Sequence, residues 1–218
     1  MRRSICPWIV VSSCMLVFVG CAKKNVERID GGKVEGSLYR NEYLGFRLRI
    51  PSDWSVQDRK TQEEERQRGE KILSGDNKNM QAMFEGGATR TVNLVTVFKY
   101  PPGSPVSFNP SIAGVAESVA DAPGVRTGGD YLFHYRRILE ASQVKFSFTR
   151  DVYTETIGGA EFHVLTTETS ALPMIVVKQE HYATVRRGYA VLLVLSFTTD
   201  EERKALRDVL DTATFEQL

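Results

Sequence analysis

The sequence has few of the residues from which catalytic centres are assembled. It holds three cysteines and three histidines in 218 residues. Two of the cysteines, Cys6 and Cys14, lie in the first stretch of the chain, and the third is Cys21. Beyond Cys21 there is no thiol, which excludes both a disulfide framework and a cysteine nucleophile, so a hydrophobic core must hold the fold. No Gly-x-Ser-x-Gly elbow, phosphate-binding loop or dinucleotide fingerprint is present. Gly128-Gly129 and Gly158-Gly159 lack the spacing those motifs need. Charge of one sign is missing too: 28 basic residues face 27 acidic ones, and Arg2 and Arg3 account for part of the basic count. Nothing in this balance argues for nucleic acid as a partner, which would need a net basic face. The long apolar run of a spanning helix is also absent, because residues 5–19 fall short of the roughly 20 residues needed.

That short run is nonetheless informative. Arg2 and Arg3 form a positive start, residues 5–19 an apolar segment, and Phe18-Val19-Gly20-Cys21 is followed at once by Ala22-Lys23-Lys24. The pattern is that of an export signal. The small residue before Cys21 and the polar chain after it resemble the lipobox of bacterial lipoproteins, with Phe18 where leucine is usual. The resemblance implies that residues 1–20 are removed and that Cys21 is lipidated, its acyl chains holding the protein to a membrane. Ordinary cleavage with release, or an uncleaved signal anchor, are the alternatives. Ala22 in place of aspartate favours an outer membrane where one exists. Residues 21–36, polar and carrying Gly31-Gly32, read as a flexible tether, and residues 37–218 as one domain.

Within the domain, residues 38–40 read as an edge strand. Phe46, Leu48 and Ile50 alternate with Arg47 and Arg49 as in a half-buried strand, and Trp54 reads as a core aromatic. Residues 58–71, densely charged, read as a solvated helix or mobile excursion ahead of a binding surface, with i,i+4 spacing at Arg59/Glu63, Lys60/Glu64 and Arg66/Glu70. Residues 80–85 and 92–100 are expected to be strands around Gly86-Gly87. A helix is expected after Asn109-Pro110, with Ile112, Val115, Ala116 and Val119 on one face. Another spans 130–142 with a stripe of Leu132, Tyr135, Ile138 and Leu139. A meander of strands follows, turning at Gly158-Gly159, near Pro173 and at Arg187-Gly188. Residues 189–197 are apolar at nearly every position, as in a central strand buried on both faces. A helix opened by the Thr199-x-x-Glu202 capping box closes the chain, burying Leu206, Val209, Leu210 and Ala213. Segregated strands and helices of this kind give an α+β architecture.

Two segments carry a further resemblance. Tyr43-Leu44-Gly45-Phe46-Arg47-Leu48-Arg49-Ile50-Pro51-Ser52-Asp53-Trp54 resembles the start of PsbP-like domains. The segment from Gly188-Tyr189-Ala190-Val191 through Ser196-Phe197-Thr198-Thr199-Asp200-Glu201-Glu202 to Phe215 resembles their end. The resemblance implies an antiparallel sheet packed between helices, acting as a non-catalytic partner-binding scaffold with no catalytic residues and no cofactor.

The candidate sites are few. Cys21 is the lipidation site. If the hairpin turn centres near Leu172, His163 and His181 stand opposite each other on neighbouring strands, close enough to share a divalent metal, although two unconnected sheet histidines are the simpler reading. His134, between Phe133 and Tyr135, reads as a boundary residue. The expectation is a lipid-anchored envelope protein acting as a binding or assembly module with a protein partner. The alternative is a carrier of a small apolar ligand or divalent metal, and an envelope hydrolase ranks last.

Overall fold

The apolar stretch 189–197 organises the molecule. The computed structural model describes residues 29–172 and 175–216. In chain order it contains β1 (Lys33–Glu35), β2 (Leu38–Asn41), β3 (Phe46–Arg49), β4 (Ser55–Val56), α1 (Arg59–Ser74), α2 (Lys78–Ala88), β5 (Thr91–Phe98) and β6 (Ser111–Ser118). Next come α3 (Gly128–Ala141), β7 (Phe146–Phe148), β8 (Tyr153–Ile157), β9 (Ala160–Leu172), β10 (Ile175–Arg186), β11 (Tyr189–Phe197), α4 (Asp200–Leu210) and β12 (Thr214–Phe215). The larger sheet runs β4-β5-β6-β11-β10-β9-β7, with β8 also paired to β9, and the smaller one runs β1-β2-β3-β12. All of these pairings are antiparallel.

Strand β11 sits between β6 and β10, as its composition requires. Leu193 and Leu195 join Tyr39, Phe46, Leu48, Leu206 and Leu210 in one core, while Leu192 faces Leu132, Leu139, Leu165 and Ala183 in another. The sheet is therefore covered by α3 on one face and by α4 with the smaller sheet on the other. The architecture is α+β, a single domain in which an antiparallel sheet lies between helices.

Two elements exchange their expected types. Residues 80–85 belong to helix α2: the Asn77 side chain caps Met80 N at 3.1 Å, Met80 is buried, and Gly86-Gly87 lies in the last helical turn instead of a hairpin. Residues 112–119 mostly belong to β6. Ile112, Gly114 and Ala116 turn to one face and Val115 to the α3 core. A strand apolar on both faces also shows the i, i+3, i+4 pattern of a helix, so the stripe alone is ambiguous. Asn109 is no helix cap; its amide closes the β5–β6 loop through both Tyr100 N and Tyr100 O. Strand β2 is interior to its sheet, not an edge. Helix α1 makes the Lys60–Glu64 and Arg66–Glu70 pairs. Arg59 turns from Glu63 to bind backbone carbonyls.

Those carbonyls correct the tether. Residues 29–36, expected to be loose, are part of the domain. Ile29 is 5% exposed, and β1 pairs with β2. Asn41 Nδ2 donates to Asp30 O (2.9 Å), Tyr39 Oη to Gly31 O (2.9 Å), and Arg59 to Gly32 O (2.5 Å) and Asn93 O (3.0 Å). The glycines are there for space. A Cβ on Gly31 would stand 1.7 Å from Arg59 Nη1 and 2.3 Å from Asn93 O. Gly31→Ala is expected to cost about 1–3 kcal/mol, as overpacking does. Urea unfolding measures it, and an unchanged midpoint would contradict the packed role.

Candidate functional site

Cys21 lies outside the described residues. Both histidines of the expected pair lie within them. In the β9–β10 hairpin His181 stands opposite Leu165, and His163 opposite Ala183. The register thus differs from the expected one by two positions. The two side chains share the α3 face but are diagonal neighbours, about 7–8 Å apart instead of 4.5–5.5 Å. Among the described residues no group of three or more His, Cys, Asp or Glu side chains is placed to hold a metal.

The environments of the two differ as well. His163 is half-buried against Gly129 in the first turn of α3, where a Cβ would come within 2.7 Å of its ring. His181 is buried beneath α3: Nε2 lies 3.0 Å from Thr167 Oγ1, the ring centroid 5.3 Å from that of Tyr135, and Nδ1 has no partner among the described residues. Burial pushes its pKa from 6.5 down to about 3, so the ring stays neutral. The sign of the linkage follows. Below pH 6.5 the unfolded chain takes up a proton that the folded chain refuses, so stability falls until the folded pKa is reached. Relative to His181→Gln, the wild type should lose up to about 1.4 kcal/mol per pH unit in that window. Urea unfolding at pH 7 and at pH 4 checks this, and parallel losses in the two proteins would refute it.

On the opposite face, a set of ionisable groups that sequence reading missed joins α4 to β8 and β10. Glu180, with a side chain 5% exposed, accepts from Tyr182 Oη (2.6 Å) and Arg203 Nε (2.6 Å). Arg207 donates to Tyr182 Oη (2.6 Å), Glu155 Oε2 (2.8 Å) and Asp211 Oδ1 (3.1 Å). Burial and the adjacent Glu180 carboxylate push the Tyr182 phenol well above its ordinary range. Each charge answers another, so the set pins α4 to the sheet. The only advance signal was the i,i+4 spacing of Arg203 and Arg207 beside the buried stripe of α4.

The α3 layer differs from that closed set. Between α3 and the end of β6 lies a cavity of about 240 Å³, lined in part by Glu117, Val119, Val125, Tyr131, Tyr135 and Ile138. Tyr131 Oη donates to Glu117 Oε2 (3.1 Å), and the Tyr131 and Tyr135 rings stack with centroids 6.2 Å apart. Burial, with Glu117 beside it, raises the Tyr131 phenol. Two residues of the expected helical stripe, Tyr135 and Ile138, thus line this cavity. His134, expected at a boundary, is exposed at its rim. One residue earlier, Phe133 is 58% exposed, with the Arg137 guanidinium 5.2 Å from its ring centroid.

Neither a protein-family model nor a curated protein matches the chain. Among solved structures it is similar to cyanobacterial PsbP (CyanoP) from Synechocystis, at 15% identity and a TM-score of 0.49, over 87% of this chain and 99% of that one. It is also similar to a Pseudomonas aeruginosa protein of unknown function, at 15% identity and TM-score 0.44, over 83% and 97% of the two chains. LpqN of Mycobacterium tuberculosis, involved in cell envelope biogenesis, matches at 14% identity and TM-score 0.40, over 79% and 83%. Likenesses this remote say nothing of what this chain binds or does.

Proposed function

We propose that the chain is an exported envelope protein, held to its membrane by a lipidated Cys21, whose α3 layer binds a protein partner without catalysing a reaction. One observation carries the binding face: helix α3 exposes an aromatic, Phe133, with the Arg137 guanidinium over its ring, one residue before His134 at the rim of the cavity. Aromatic and arginine side chains dominate interface energetics. At about 240 Å³ the cavity is smaller than the roughly 300–1,000 Å³ of small-molecule sites. It suits one apolar side chain of a partner better than a carried ligand. The anchor rests on the residues around Cys21, and among the described residues no helix is long and apolar enough to cross a membrane.

The test is a photo-crosslinking residue placed at Phe133 or at Val152, an exposed apolar position ahead of β8, in full-length protein in its native envelope. A discrete protein adduct should form from position 133 and not from 152. Phe133→Ala should weaken binding of that partner by about tenfold or more, the loss of a hot-spot residue. Equal labelling from both positions, or none from 133, would contradict the reading.

A further inference from the structure

The inclusion of residues 29–36 in the fold shortens the link to the anchor. We infer that the face of the domain bearing β1 and the β4–α1 corner lies against the bilayer that carries Cys21, with α3 turned away from it. The inference rests on the lipid-anchor reading above. Its first ground is reach. The chain leaves the domain at Ile29, which is buried, and three side-chain donors hold the carbonyls of Asp30, Gly31 and Gly32. The exit point is therefore fixed. Seven residues separate Cys21 from Ile29, and the eight steps between the two, fully extended, span at most about 26–29 Å. A domain of this length is roughly 40 Å across. The link is shorter than the domain is wide, so the exit face stays near the surface and the far side cannot turn toward it.

The second ground is the chemistry of that face. Val34 and Val56 are both exposed and border one cleft of about 380 Å³, whose walls carry Lys33 and Arg59 together with Glu35 and Asp58. Exposed aliphatic side chains beside a lysine suit the headgroup level of a bilayer, where apolar groups leave water and the ammonium meets phosphate. Lys23 and Lys24, directly after the anchor, add charge that anionic lipids attract. Phe133 and the α3 cavity lie in the layer on the other side of the larger sheet. This leaves the proposed partner face free.

The test uses full-length lipidated protein in vesicles of phosphatidylethanolamine and phosphatidylglycerol. Val34→Cys, Val56→Cys and Phe133→Cys each place a single free thiol in a mature chain whose Cys21 is blocked by lipid, and each takes a nitroxide label. Accessibility to a water-soluble nickel chelate is read by electron paramagnetic resonance. Labels at 34 and 56 should lose accessibility relative to the label at 133. Equal accessibility at all three sites, or a loss at 133, would overturn the orientation while leaving the anchor intact. Mass spectrometry of the same preparations separates the other failure: an unacylated N-terminus removes the anchor, and the orientation with it.

Discussion

Leu193→Asp should abolish folding at ordinary temperature. Leu193 has no exposed surface and pairs with Tyr182 on β10 and Gly114 on β6, in the middle of the larger sheet. An aspartate there would sit in the main apolar core, where a carboxyl without a hydrogen-bond partner costs several kcal/mol even when protonation removes its charge. The truncated cavity adds to this, since Leu→Ala alone costs about 2–5 kcal/mol in well-packed cores. A domain of this kind has only about 5–15 kcal/mol to lose. Circular dichroism of the Asp variant should show an unfolded or aggregated chain. Leu193→Ala, measured by urea unfolding, should remain folded with a loss inside that range. A wild-type melting temperature for Leu193→Asp would place β11 elsewhere than the centre.

The second large effect is expected at the ion pair beneath α4. Arg203→Ala removes the cation facing Glu180, whose carboxylate then keeps, among the described residues, the Tyr182 hydroxyl. Breaking a fully buried pair costs about 3–5 kcal/mol, because a charge stays behind uncompensated. Here the Arg203 side chain is 44% exposed, so water screens part of the effect and about 2 kcal/mol is expected. The Glu180→Gln/Arg203→Ala double variant should lose less than the sum of the two single variants, since no charge is stranded. Strict additivity in urea unfolding would show that the pair does not hold α4 to the sheet.

What the sequence revealed in advance follows from how local each signal was. The central place of β11 was legible because burial on both faces leaves almost no polar position. The Thr199–Glu202 capping box was legible because it is written in adjacent residues, and both of its halves form. Helix α2 and strand β6 were exchanged for a physical reason. Ile112, Val115 and Ala116 satisfy a helical stripe and a doubly buried strand at once, and only pairing with β5 and β11 decides between them. Gly31-Gly32 looked like slack. The guanidinium that requires a glycine at position 31 comes from Arg59, far along the chain, and no spacing rule reports such an approach.

The candidate site was less legible still. The stripe Leu132, Tyr135, Ile138 and Leu139 correctly marked α3, but Tyr135 and Ile138 help line a cavity while Leu132 and Leu139 fill the core. Which residues of a stripe meet a neighbour depends on where β6 ends. The histidine pair depended on the hairpin's centre. Moving that centre by one residue slides the register by two, which keeps His163 and His181 on one face yet separates them diagonally. Glu180 and Arg203 meet only because α4 folds back over β10.

The central claim, a lipid-anchored envelope protein, is tested most directly by intact-mass and N-terminal peptide mass spectrometry of the protein isolated from its native membranes, beside Cys21→Ser. The account predicts a mature chain that begins at Cys21 and carries a thioether-linked diacylglycerol. It predicts that Cys21→Ser lacks this mass and leaves the membrane fraction. A mature N-terminus at any other residue, or an unmodified Cys21, would contradict it.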